Sequence, residues 1–296
     1  MIHYLTGKRS LRPSLRLVSQ SAIVILTALL IGGCTTSSPA SPSAEAVDCT
    51  LRGPGVNLKG CDLRGADFSG LDFTGAIFDG ANLVGANLSR AVLTTVSFID
   101  TNLASANLTS VSAGSADFES ARLSDAILVE GMFNNAKFSL SNCSRSDLSQ
   151  GVFDSVNFNN AALTDVIAVG ASFVGATFNV SNLEQAKLSK ANFLNADMTR
   201  ATLTGADLQG ARFGSAILRY ANLRFTFLWG ADFSRADLRE ASLYQSYEAG
   251  ESGARIIFRS ADLRGAQMDS FYEFYEADIQ GAKLSGALMP NGTTHP

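Results

Sequence analysis

From Leu58 onward the chain places one large apolar residue every five positions, preceded by Asp or Asn and, two before, by a small residue. Ala66-Asp67-Phe68, Ala81-Asn82-Leu83, Ala86-Asn87-Leu88 and Ala206-Asp207-Leu208 are instances. Stepping by five from Leu58 to Leu243 gives 38 positions, of which 20 are Leu, 14 Phe and 1 Met, with Ala113, Cys143 and Ala168 the departures. A period of five fits neither the 3.6 of a helix nor the 2.0 of a plain strand. One large side chain per unit must therefore point inward from a backbone that corners after each unit.

Sorted by twenty, the same positions separate by residue type. Phe78, Phe98, Phe118, Phe138, Phe158 and Phe178 form one series, and Phe133, Phe153, Phe173, Phe193, Phe213 and Phe233 form another that begins at Phe73. Leu63, Leu83, Leu103 and Leu123 begin a third, and Leu88, Leu108, Leu128 and Leu148 a fourth. Residues twenty apart thus share an environment, which predicts four units per turn, each column stacked along an axis. These A(D/N)LXX units resemble the pentapeptide repeat family. The resemblance covers about Leu51 to Met289 and implies an all-β fold, a right-handed quadrilateral β-helix of about 11–12 coils. At roughly 4.8 Å per layer that is a rod near ~55 Å. Both ends of such a solenoid need covering, and residues 47–57 and 270–296 are the expected caps.

The pattern falters after Leu243, where the next two centres are Glu248 and Gly253, before Phe258, Leu263 and Met268 return in phase. This predicts a coil that continues across 244–257 with one or two distorted sides, returning Phe258 to the Phe178 column. One extra residue in 269–273 then shifts the phase to Phe274, Ile279, Leu284 and Met289, read as a bulge. Residues 290–296 form a tail, and the C-terminal coils are a candidate homodimer contact.

The first 33 residues differ in kind. A basic stretch ends at Arg16, an apolar run spans Ala22 to Ile31, and Gly32-Gly33-Cys34 follows. Crossing a bilayer takes roughly 20 apolar residues, so residues 1–33 read better as a secretory signal than as a permanent anchor. Ile31-Gly32-Gly33-Cys34 resembles the bacterial lipobox, which implies acylation of Cys34. Thr35, in place of a retention Asp, implies outer-membrane sorting in a diderm cell, facing the periplasm. The stretch 34–48, rich in Ser, Pro and Thr, reads as a tether. In that oxidising compartment Cys49 and Cys61 are a candidate disulfide pinning the N-terminal cap, whereas Cys143 takes an inward position and is expected to stay a buried thiol.

Charge narrows the function classes. Setting aside the four basic residues of the signal leaves 19 basic against 27 acidic groups, so a generally basic nucleic-acid binder is excluded. The two histidines, His3 and His295, stand at the extremes, so neither a Ser-His-Asp arrangement nor a His-based zinc site can be built. No enzyme activity, metal or cofactor is expected. Two surface groups draw notice. Phe225, Phe227, Trp229, Tyr244 and Tyr247 gather outward aromatics beside the break, either as a contact surface or as rings covered by the irregular segment. Arg219, Arg239 and Arg259 lie twenty apart, with Arg235 and Arg255 a second such pair. They form either an anion patch or a face neutralised by Asp232, Asp237 and Glu240. The leading expectation is a lipid-anchored scaffold or protein-interaction module. The alternatives are a carbohydrate or lipid-headgroup binder at Phe227/Trp229 and, opposed by the secretion signal, a DNA-mimicking protector of gyrase, as some members of the family are.

Overall fold

The computed structural model describes residues 47–246 and 255–296. It is an all-β right-handed quadrilateral β-helix whose regular part repeats every twenty residues. Each side of a coil is one five-residue unit. Its large centre and the small residue two before it face inward, the residue between them faces outward, and the last two form the corner. The corner closes by a hydrogen bond such as Ala66 N–H to the Leu63 carbonyl (3.1 Å), and its second residue has positive φ. This is the geometry of a type II turn, which favours glycine. Early corners comply, as at Gly60 and Gly65, but many later ones place other residues there, Leu140 and Val180 among them.

Consecutive coils pair as parallel ladders offset by twenty, for example Asn57 with Ile77 and Ile77 with Ser97. Leu63 N–H donates up to the Asn82 carbonyl and Asn82 N–H donates back to the Cys61 carbonyl, both at 2.8 Å. The Asn57 side runs through twelve levels to Lys283. Inside, the Phe columns stack nearly flat, as at Phe193–Phe213 (4.9 Å, 3°) and Phe213–Phe233 (4.7 Å, 3°). The two columns meet edge to face, as at Phe173–Phe178 (5.4 Å, 74°). Both arrangements are favourable for ring quadrupoles. Where a hydroxyl replaces the inward Ala, it bonds a centre's carbonyl, that of the preceding centre at Ser141 (Phe138, 2.7 Å) and Ser146 (Cys143, 2.6 Å), that of a centre one coil earlier at Thr101 (Phe78, 2.7 Å). A buried polar group is thereby satisfied without a side-chain partner.

The break differs from expectation. Asp232 pairs with Ile257, Asp237 with Asp262 and Ser242 with Gln267, a step of 25 residues. The coil from Phe233 to Phe258 therefore holds five five-residue units instead of four, and the twenty-residue register does not continue across it. Phe258 consequently stacks on Phe233 (5.3 Å, 14°), not on the Phe178 column. Glu248 and Gly253, the two centres that break the pattern, lie outside the described residues. Beyond it, Ile257 pairs with Asp278 and Asp262 with Lys283, a step of 21. The extra residue is taken up by a 3-10 turn at Tyr272–Glu276, with Phe271 just before it and Phe274 within it both buried.

The two ends are finished differently. At the N-terminal end Cys49 and Cys61 are joined as a disulfide, and Arg52 lies 4.6 Å over the Phe68 ring while donating to the carbonyls of Cys49 (3.0 Å) and Leu51 (2.7 Å). At the other end residues 290–296 fold back antiparallel on one side only, with Met289 N–H to the Thr293 carbonyl and His295 N–H to the Ala287 carbonyl, both 2.8 Å. Among the described residues no layer covers the neighbouring side, and the inward-facing Ile279 is 38% exposed.

Candidate interaction surface

With the interior filled, whatever the protein recognises must meet the outward residues. The outward Asp or Asn of each unit mostly serves the backbone, its Oδ1 accepting the N–H two residues on, as Asp72 does from Thr74 (2.8 Å) and Asn107 from Thr109 (3.0 Å). Short acceptors favour such corners because they satisfy a donor the ladder leaves over. Hydrogen bonds from the hydroxyls of Ser69 and Thr74, and then from the backbone N–H groups of the same residues, hold the carboxyls of Asp67 and Asp72 below the usual carboxylate range. Carboxylates spread this way by the repeat form no constellation for acid–base work. Among the described residues no group of three His, Cys, Asp or Glu is placed to hold a metal ion.

The arginines are tied down. Arg219 pairs with Asp237, Arg239 pairs with Asp237 (2.8 Å) and approaches Asp262 (3.8 Å), and Arg259 pairs with Asp278. The register step of 25 also breaks the anticipated columns. Arg264, not Arg259, follows Arg239, and Arg264 pairs with Asp262 at 2.7 Å. Arg259 lies on the adjacent side, where its carbonyl accepts the Arg235 N–H (2.8 Å). For the same reason Arg255 does not stack on Arg235. Arg219, Arg239 and Arg259 therefore do not make one anion patch; the first two belong to an Arg/Asp zipper that neutralises itself.

The aromatic group is partly assembled. Phe225 and Phe227 are 37% and 40% exposed, Trp229 is half-buried, and Tyr244 meets Phe225 edge to face (5.9 Å). Arg224, which the sequence reading passed over, lies 4.5 Å over the Tyr244 ring and 5.6 Å from Phe225, a cation–π arrangement. Its signal was present in the twenty-residue spacing of Arg224 and Tyr244. The Trp229 Nε1 is buried without a hydrogen-bond partner. Tyr247 and Cys34 lie outside the described residues. Cys143 is buried beside Ser141 (3.5 Å), and burial pushes its thiol up to about 12.

Comparison with known proteins decides the kinship. A model of pentapeptide repeats matches in eight copies, over residues 57–94, 101–139, 141–179, 181–214 and 216–247. The chain belongs to the pentapeptide repeat family. Among solved structures, this pentapeptide repeat protein is similar to HetL, a pentapeptide repeat protein involved in heterocyst differentiation regulation from the cyanobacterium Nostoc sp. strain PCC 7120. The two are 24% identical, over 82% of this chain and 90% of HetL, with a TM-score of 0.53. QnrB1, a plasmid-mediated fluoroquinolone resistance protein, matches at 18% identity over 68% and 88% of the two chains, with a TM-score of 0.32. A pentapeptide repeat protein of the Arabidopsis thaliana thylakoid lumen matches at 27% identity over 36% and 61%, with a TM-score of 0.22. No curated protein matches. At 24% identity the likeness to HetL speaks for the fold alone.

Proposed function

We propose that this protein is a non-catalytic interaction module, lipid-anchored at Cys34 and held by the 34–48 tether on the periplasmic face of a bacterial envelope membrane. The outer membrane is favoured by Thr35 in a diderm cell. The observation that carries the reading is the division of labour in the repeat. Inward positions are filled by Leu, Phe and Ala, and outward polar groups are largely engaged with the backbone or each other, leaving a rigid rod that presents surface. Such a rod needs no cofactor and acts by binding, with a protein as its partner. The Arg/Asp zipper interrupts any continuous acidic surface, which disfavours mimicry of DNA, and no nucleic-acid ligand is expected. Cys34→Ala tests the anchor: it should abolish palmitate labelling and release the protein from the membrane fraction. Unchanged labelling and fractionation would overturn it.

The exposed Phe225 and Phe227, with Arg224 stacked on Tyr244, support a second reading, a carbohydrate or lipid-headgroup site on this surface. Binding to a glycan array or to anionic vesicles that is lost in Phe225→Ala would favour it over the protein scaffold. The uncovered Ile279 supports a homodimer through the C-terminal coils. Ile279→Asp should then shift the sedimenting species to monomer, and an unchanged species would dismiss that contact.

A further inference from the structure

One corner of the rod carries a pattern that neither its packing nor its turn geometry requires. It is the corner after the Phe78, Phe98, Phe118, Phe138, Phe158 and Phe178 column, whose positive-φ positions run through Asp100, Ser120, Leu140, Asn160, Val180, Arg200 and Tyr220. Leu140, Val180 and Tyr220 are 57%, 58% and 55% exposed. All three sit at φ near 60°, where glycine is at ease and a β-branched residue such as Val180 is an outlier. A strained, exposed apolar side chain is a cost in the isolated chain, and it motivates a search for what offsets it.

The outward positions flanking this corner over the three coils of Leu140, Asn160 and Val180 are uncharged, Asn142, Asn157, Asn159, Asn179 and Asn182 among them, except Lys137, which is paired with Asp117 (2.9 Å). Charge resumes on both sides with opposite sign. Towards the N-terminus stand Asp100 and Glu119, towards the C-terminus Arg200 and, paired within the chain to Asp237, Arg219. Asp100, Glu119 and Arg200 make no ion pair among the described residues. The ladders in this stretch, from Ser97 through Asn157 to Ile217, keep the twenty-residue step throughout, so coils on either side of Asn160 are evenly spaced.

We propose that this corner is a self-complementary contact, along which two copies of the chain pack side by side and antiparallel with a two-fold axis at Asn160. Such an axis places Leu140 of one copy against Val180 of the other. It brings Glu119 beside Arg200, and Asp100 beside Arg219 and Tyr220, twice over by symmetry. A parallel arrangement would instead set Asp100 and Glu119 against their own copies and Arg200 against itself. Charge complementarity therefore selects the antiparallel one. Asp117 and Asp197, which face each other farther from the corner, are already occupied: Asp117 pairs with Lys137 (2.9 Å), and Asp197 accepts from the Thr199 hydroxyl (2.6 Å) and the Asn179 amide (3.3 Å). From Asp100 to Tyr220 the contact spans six coil steps, ~29 Å at strand spacing. One side's width over that length falls at the low end of specific interfaces, so the association is weak and salt-sensitive.

The test is cross-linking by oxidation in the full-length chain, with the unsubstituted chain as the blank for its native cysteines and circular dichroism to confirm that each variant is folded. Asn160→Cys lies on the axis and should give a disulfide-linked dimer by itself. Leu140→Cys alone and Val180→Cys alone should not, because each is two coil steps, ~10 Å along the rod, from its own copy, beyond the ~7 Å Cα separation a disulfide spans. A mixture of Leu140→Cys and Val180→Cys chains should cross-link to each other. Arg200→Glu should weaken dimerisation about tenfold, and adding Glu119→Arg should restore it. Equal cross-linking of all three single variants would establish a parallel or unspecific contact and overturn the proposal. Cross-linking at none of them, the result expected if copies meet only through the C-terminal coils, would overturn it too.

Discussion

Phe138→Ala probes the assumption on which every outward assignment rests, namely that the columns are closed stacks. Phe138 is fully buried, with Phe118 on one face (4.5 Å, 15°) and Phe158 on the other (4.9 Å, 30°), and Phe133 meets it edge to face at 5.7 Å. Truncation removes the ring from all three contacts. The backbone bonds, such as Phe138 N–H to the Asn157 carbonyl (2.7 Å), hold the layers above and below at fixed spacing, so the site cannot collapse. The loss should fall in the range of about 3–5 kcal/mol for a Phe whose cavity stays open. Phe138→Leu, which puts in a residue that fills the same inward position elsewhere, should cost under about 1.5 kcal/mol. Ser139→Ala, one residue on and facing out, should cost under about 0.5 kcal/mol. Urea unfolding of the three variants measures this, and an unchanged m-value shows that the same surface is being exposed. Equal midpoints for Phe138→Ala and Ser139→Ala would refute the inside–outside assignment. A fall in m for Phe138→Ala alone would show the solenoid unzipping into halves, as a nearest-neighbour array permits.

Three further outcomes are expected. Peptide mapping of unreduced protein should recover Cys49 linked to Cys61, and reducing that bond should lower stability by about 3 kcal/mol in the chain-entropy model; two free thiols there would contradict it. In the native state Cys143 should resist a thiol reagent at pH 8 and react only after unfolding, since burial raises its pKa to about 12. The carboxyls of Asp62, Asp125 and Asp262 are each held below their ordinary range, chiefly by hydrogen bonds from Arg64, Arg145 and Arg264. A lowered folded-state pKa means the native chain binds fewer protons than the unfolded one. Stability from these groups is therefore complete above about pH 4 and lost below it. Melting temperature should be flat from about pH 5 to 8 and fall on acidification, and a rise would reverse the sign of the argument.

The regular coils were legible because period and packing are the same fact. A five-residue spacing of Leu and Phe can be buried only by a chain that corners at every unit, and the sorting by twenty reports that Phe98 touches Phe78 and Phe118. The break was not legible for a physical reason. In units of five, a coil of four units and a coil of five leave the same phase, because Phe258 falls on a multiple of five either way. Only the identity of the column distinguishes them, and two columns of this tube are both Phe. The deciding contact, Phe258 on Phe233, is long-range and has no sequence signature.

That ambiguity propagated to the surface. Reading Arg259 as twenty residues beyond Arg239 is sound within an unbroken register, and a step of 25 moves it by a whole side. The Arg/Asp zipper therefore appears only when Asp262 and Arg264 are set above Asp237 and Arg239. The Asn160 corner lies where no such shift intervenes, and there the sequence alone places Leu140, Val180 and Tyr220 in one line. What the sequence could not supply is that these positions are the left-handed ones, where a solvent-facing Leu or Val has no local reason to be, whereas Tyr220 at least meets Arg200 over its ring (5.8 Å). Within the tube a large residue is explained by its neighbours one coil up and down. On a corner facing water it is not, which is why the outward column rather than the inward ones carries the information about a partner.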